Sequence, residues 1–157
     1  MKTIPLSQGK VALVDDEDFE RISTYRWNLL RCRNIMYAQC HLTDRTVLMH
    51  RLVMNAPKGM NVDHRDQDGL NNQKSNLRVC THTQNLQHMA KKITARSGFK
   101  GVHCNPAKYP INPWCARIQV IGKRLELGQY PSAELAASAY NNAAVKHFGQ
   151  YASLNTL

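Results

Sequence analysis

No apolar run in the chain approaches the roughly 18 residues that a membrane-spanning helix needs, so insertion into a bilayer is not expected. No two cysteines are spaced as a metal-binding pair. The five that are present (Cys32, Cys40, Cys80, Cys104, Cys115) are odd in number and scattered, which argues against a zinc ribbon and a disulfide framework and predicts reduced, buried or half-buried thiols. Aromatic residues make up only 7% and nowhere form the stacking platform on which single-stranded RNA is usually read. Met1 to Gly9 carries one lysine and an early Pro5, without the succession of charged, apolar and small residues of a secretory leader, so action in the compartment of synthesis, the cytoplasm, is expected.

Acidic residues are scarce as well. Lys and Arg number 21 against 11 Asp and Glu, a formal net charge of +10. Five of the acids (Asp15, Asp16, Glu17, Asp18, Glu20) are crowded into one short run, which leaves everything beyond residue 20 strongly basic, as suits a protein that tracks phosphates. A length of 157 residues allows one ordinary domain or two small ones.

The first part of the chain is read as follows. VALV within Lys10 to Val14 predicts a strand, and Asp15 or Asp16 is placed to cap a short helix whose acids crowd the positive end of its dipole. Tyr25 to Arg31, Met36 to Leu42 and Thr46 to Met49 predict three strands of an antiparallel sheet, with turns at Arg33-Asn34 and Thr43-Asp44. His50 lies in MHRLVM, ahead of a Pro57-Lys58-Gly59 turn. It is either structural or a phosphate-positioning group.

The stretch VDHRDQDGLNNQKSNLRVCTHTQN, Val62 to Asn85, carries the chemistry. Asp63 and His64 end one strand, Asn76 opens the next, and Asn85 falls on a helix beginning near Thr81 to Thr83. That succession can bring four side chains to one place. A neutral imidazole can accept a proton from water near pH 7, and a carboxylate with an amide oxygen can hold a hard cation. Asn76 is expected to hydrogen-bond one ring nitrogen of His64 and leave the other free. Arg65 to Ser75 is not a calcium loop, because the glutamate at the twelfth position is missing and the glycine is misplaced. Gly69 and the Asn71-Asn72 step are expected at left-handed or turn positions. His82 and His88 are three residues either side of Asn85 and compete with it as metal ligands.

These residues resemble the HNH nuclease family, in the branch whose third motif position is Asn and whose core is the ββα-metal fold. The resemblance implies His64 as general base, Asn76 as the residue that orients it, Asp63 and Asn85 as metal ligands, and Mg²⁺ as the cofactor, with Mn²⁺ as a substitute.

Beyond a basic segment with Lys91, Lys92 and Arg96, the pattern changes. In WCARIQV, Trp114, Ala116, Ile118 and Val120 alternate with Cys115, Arg117 and Gln119. Ile121-Gly122 turns the chain into KRLELG, where Leu125 and Leu127 are expected inward and Arg124 and Glu126 outward. Ser132 caps an alanine-rich helix that Gly149 ends. FKGV, WCARI, LGQY, AELAASAY and Leu154-Asn155 together resemble the Apetala/ethylene-response-factor DNA-binding domain. Its fold, a three-stranded sheet that enters the major groove, implies Lys100, His103, Arg117, Gln119, Arg124 and Glu126 as DNA contacts, while the charge of the basic segment itself places Lys91 and Lys92 along the phosphates.

The expected fold is α+β: an N-terminal antiparallel sheet and a ββα-metal core over 1–90, a basic linker over 91–98, and a small three-stranded sheet packed on one helix over 99–157. The expected function is a metal-dependent, site-preferring DNA endonuclease of homing type that nicks or cuts both strands, of phage or mobile-element character, acting on double-stranded DNA without a membrane or protein partner. The alternative is a catalytically silent, sequence-specific DNA-binding regulator.

Overall fold

Alternation in VALV places Ala12 and Val14 inside and Val11 in solvent, and this strand, β2 (Val11–Val14), pairs antiparallel with β1 (Lys2–Pro5). The computed structural model that shows this describes residues 1–88 and 97–157. The chain folds as two compact units, Met1–Asn85 and Leu86–Leu157.

In the first unit, α1 (Asp16–Ser23) follows β2 and buries Ile22. Three antiparallel strands come next, β3 (Asn28–Cys32), β4 (Ile35–His41) and β5 (Thr46–Leu48), with β4 in the middle. Arg33 takes the left-handed conformation in the β3–β4 turn. The expected three-stranded antiparallel sheet is present, with its first strand beginning at Asn28 rather than Tyr25, and VALV forms a separate two-stranded sheet with β1. MHRLV forms a short helix, α2 (Met49–Val53), which buries Met49, His50 and Val53. The hairpin β6 (Asn61–His64) and β7 (Leu77–Cys80) follows, and then α3 (His82–His88), in which the boundary between the units falls. One core joins these elements, with Ile4, Val14, Ile22, Trp27, Met49, Val62 and Leu77 among its buried residues. The indole N–H of Trp27 donates to the Ile22 carbonyl at 2.8 Å, which lets a large ring be buried without an unpaired donor.

The second unit is a three-stranded antiparallel sheet in the order β10 (Lys123–Tyr130), β9 (Trp114–Val120), β8 (Val102–Cys104), covered on one face by α4 (Ala133–Phe148). Ser132 Oγ accepts from the Leu135 N–H at the start of α4, as its sequence predicts. Ala133, Ala136, Ala137 and Ala144 are buried, and these small side chains bring helix and sheet close. The approach is tightest at Gly101, where a Cβ would overlap the Tyr140 ring and the Arg117 carbonyl. Asn155 closes the unit: its amide bridges the backbone of Lys100 and its backbone meets the Asn141 side chain.

Two expectations of burial change. Leu125 stands opposite the buried Ile118, on the inward face as expected, but near the start of the edge strand β10 it remains 37% exposed, and Leu127 packs on the core beside a bulge between Glu126 and Gly128. Cys32 and Cys104 are exposed, so only Cys40, Cys80 and Cys115 are buried thiols. Lys91, Lys92 and most of the expected linker lie outside the described residues. Among the described residues no helix is long and apolar enough to cross a membrane.

Candidate active site

Register fixes the heart of the site. In the β6–β7 hairpin Asp63 stands opposite Arg78 and His64 opposite Leu77. Asp63, His64 and Arg78 are each only 6% exposed. Arg78 Nε donates to Asp63 Oδ2 at 2.7 Å, and Arg78 Nη2 is ion-paired with the same oxygen at 2.6 Å. This is a buried, charge-assisted pair between directly facing strand residues.

The His64 ring is packed among aromatic edges. It lies 4.9 Å from the His50 ring at 83° and 5.9 Å from the Tyr37 ring, and Tyr37 also meets His50 edge-on at 5.6 Å. Burial pushes the His64 pKa below its ordinary value, against the raising effects of the Asn72 side chain and of Asp66, Asp63 and Asp68. The ring is therefore held neutral near pH 7, and its Nε2 is buried without a hydrogen-bond partner. For His50, burial, aided by the charges of His64 and Arg51, lowers the pKa to about 3. A buried neutral ring has no charge to offer a phosphate.

The loop between the two strands is ordered by its own amides and carboxylates. Asp66 Oδ1 accepts from the Asp68 N–H and from Asn76 Nδ2, and its Oδ2 accepts from Asn71 Nδ2. Asn76 Oδ1 accepts from the Asp66 N–H, and its Nδ2 also donates to the Asn71 carbonyl. Asn76 is thus fully occupied in bracing the loop and does not make the ring bond expected of it. Asn72 is the asparagine that acts on His64. It is 1% exposed, its Nδ2 is tied to the Leu70 carbonyl, and its Oδ1 makes no well-formed bond, while its side chain raises the imidazole pKa. The loop's left-handed residue is Gln67, not Gly69. Gly69 is required for space: a Cβ there would overlap the Met36 carbonyl and come within 2.6 Å of the Tyr37 ring.

Residues from the start of the chain hold this loop from outside. Leu13 N–H donates to the Leu70 carbonyl and Asn72 N–H to the Leu13 carbonyl, so the loop adds to the edge of β2. Asp15 occupies the N-cap position of α1 but directs its carboxylate to Gln73 Nε2 at 3.0 Å and the Lys74 N–H at 2.8 Å. Lys74 Nζ in turn pairs with Glu17 and Asp18. The acidic run is a clamp on the loop as well as a helix start.

Asn85 lies on α3 with its N–H bonded to the Thr81 carbonyl, and its half-buried amide makes no hydrogen bond among the described residues. His82 Nδ1 is 3.4 Å from Asn61 Nδ2, and His88 is buried. Among the described residues no group of three or more His, Cys, Asp or Glu side chains is arranged to hold a metal ion. The donors that remain, a carboxylate and an amide oxygen, fit a hard cation that keeps several waters and takes phosphate oxygens from its substrate.

In the second unit, register gathers five of the sequence-predicted contacts on the sheet face away from α4. Arg117 faces Glu126, Gln119 faces Arg124, and His103 faces Cys115. The charges of Arg117, Glu126 and Arg124 all act on the His103 ring, whose pKa is lowered by burial and then by the arginines. Lys100 stands apart. Its Nζ donates to the Gln87 carbonyl, and burial lowers its pKa.

Residues 47–87, from β5 into α3, match the HNH endonuclease family. The chain is also 30% identical over 155 residues to the uncharacterized HNH endonuclease L560 of Acanthamoeba polyphaga mimivirus, an alignment covering 96% of this chain and 77% of that protein. No solved structure matches. The chain belongs to the HNH endonuclease family and is a DNA endonuclease.

Proposed function

We propose that the enzyme hydrolyses a phosphodiester of double-stranded DNA with His64 as general base, and that Asp63 and Asn85 hold a divalent cation, Mg²⁺ or in its place Mn²⁺. The observation that carries this reading is the His64 imidazole, whose Nε2 is buried, unpartnered and on a ring that burial keeps neutral. Such a nitrogen can take the proton of an attacking water near neutral pH. The Asn72 side chain raises the basicity of the ring, and Asn76 acts indirectly by fixing the loop that carries Asp66 and Asn71. A cation held there by Asp63 and Asn85 would supply charge stabilisation for the scissile phosphate and the leaving oxygen.

The second unit is the site reader in this proposal, an Apetala/ethylene-response-factor-like module. The grouping of His103, Arg117, Gln119, Arg124 and Glu126 on one sheet face supports it, since arginine pairs with guanine and glutamine with adenine in a major groove. Lys91, Lys92 and Lys100 add phosphate contacts. A cutter joined to a reader is the arrangement of a homing-type enzyme, working in the cytoplasm of its host.

The test is His64→Ala on labelled duplex with Mg²⁺. Cleavage should be lost while DNA affinity stays within about twofold, because a base contributes to the barrier and not to docking. Parallel loss of binding and cleavage would refute the assignment of His64 as base. A wild-type chain that binds selectively but never cuts would favour the silent regulator.

A further inference from the structure

We propose that Arg78 is the resident counter-ion of Asp63, so that the free enzyme binds a divalent cation weakly and a DNA phosphate completes the site. The inference rests on Asp63 as a cation ligand. Arg78 and Asp63 are opposite each other in the hairpin, Arg78 Nε and Nη2 both reach Asp63 Oδ2, and both side chains are 7% exposed. The charge of Asp63 is thereby matched by one of opposite sign at contact distance. The other proposed donor, Asn85, is neutral, so the donors together with Arg78 carry no net charge to attract a cation.

The remaining nearby acids do not restore that attraction in full. Asp66 and Asp68 are exposed, and Asp66 has both oxygens committed to Asp68, Asn71 and Asn76, while Asp68 Oδ1 accepts from the Leu70 N–H. A cation that enters the free enzyme must share Asp63 with a buried guanidinium, in surroundings that screen charge poorly. A phosphodiester supplies both the missing negative charge and hard oxygen ligands. Arg78 is therefore a positioning residue. It keeps the carboxylate in place before the cation arrives, and it makes cation binding conditional on DNA.

The experiment measures Mn²⁺ binding by electron paramagnetic resonance on the full chain carrying His64→Ala, which leaves the duplex uncut, with a duplex-only control. Cation affinity should be at least tenfold tighter with duplex than without. In the free protein, Arg78→Gln should tighten binding at least fivefold, and Arg78→Lys, which keeps the charge, should stay within twofold. Equal affinity with and without duplex overturns the proposal, and so does a folded Arg78→Gln protein with unchanged or weaker binding. The duplex comparison decides the matter if Arg78→Gln does not fold. Asp63→Asn separates the two levels: if it binds Mn²⁺ as the parent does, Asp63 is not a ligand at all. If it abolishes binding while Arg78→Gln changes nothing, only the counter-ion role fails.

Discussion

His50 and His64 meet edge to face, their ring centroids 4.9 Å apart and their planes at 83°. The two rings come from different elements, α2 and β6, and Tyr37 of β4 touches both. The orientation of the proposed base is thus set by packing from two neighbours.

His50 therefore acts through its shape. With a pKa of about 3 it is uncharged at neutral pH. His50→Phe, which keeps a flat ring, should retain cleavage within a few-fold, whereas His50→Ala should lower kcat by about tenfold to a hundredfold through loss of alignment. The sign of the pH effect follows from linkage. The folded pKa lies below the unfolded value of 6.5, so below pH 6.5 the unfolded chain binds a proton that the fold refuses. Stability then falls as pH drops from about 6.5 towards 3, by up to about 1.4 kcal/mol per pH unit for such a group. Thermal melts between pH 7 and 4 should show a steeper loss for wild type than for His50→Phe. Parallel curves would contradict the buried, neutral assignment.

Gly69 should tolerate no side chain, and the reason is proximity rather than backbone conformation. Its missing Cβ is what allows the loop to lie on the Met36 carbonyl and the Tyr37 ring. Gly69→Ala must push Tyr37, which touches His50 and His64, or lift the loop from β4. Overpacking of this kind costs about 1–3 kcal/mol. Activity measured below the melting temperature should fall together with stability, and wild-type kcat in a folded Gly69→Ala protein would show that Tyr37 is not coupled to the base.

What the sequence revealed and what it hid divide along chain distance. The Asp63–His64 strand end, the Asn76 strand start and the Asn85 helix are local patterns, and strand period and capping made them readable. The choice between Asn72 and Asn76 as the neighbour of His64 depends on the path of a folded loop, which no periodicity records. The same holds for Asp15. A carboxylate before a helix reads as a cap, yet here its oxygens reach Gln73 and Lys74, far along the chain. Leu125 falls on the inner face as alternation predicts, opposite the buried Ile118, but near the start of an edge strand it stays 37% exposed, a shortfall of cover that no periodicity records. The pairing of Asp63 with Arg78 was hidden for a different reason. Both residues were in plain view, but only the hairpin register brings them face to face.

Register also fixes what each arginine of the second unit is expected to do. Arg117 faces the acidic Glu126 across β9 and β10, whereas Arg124 faces the neutral Gln119. If this face enters a major groove, Arg117→Ala and Arg124→Ala should each cost about 1–3 kcal/mol of discrimination at particular base pairs. Lys91→Ala and Lys92→Ala should instead weaken binding about equally on all sequences and reduce the salt dependence by about one ion each. Selection of bound and cut duplexes from a common random library, repeated at two salt concentrations, distinguishes the two behaviours. Glu126→Gln adds a control on orientation, since it removes the charge that Arg117 faces without removing a base-reading guanidinium. It should blur the preference at the Arg117 position and leave the Arg124 position alone, and a uniform loss of affinity across the library would show that the sheet face holds DNA without reading it.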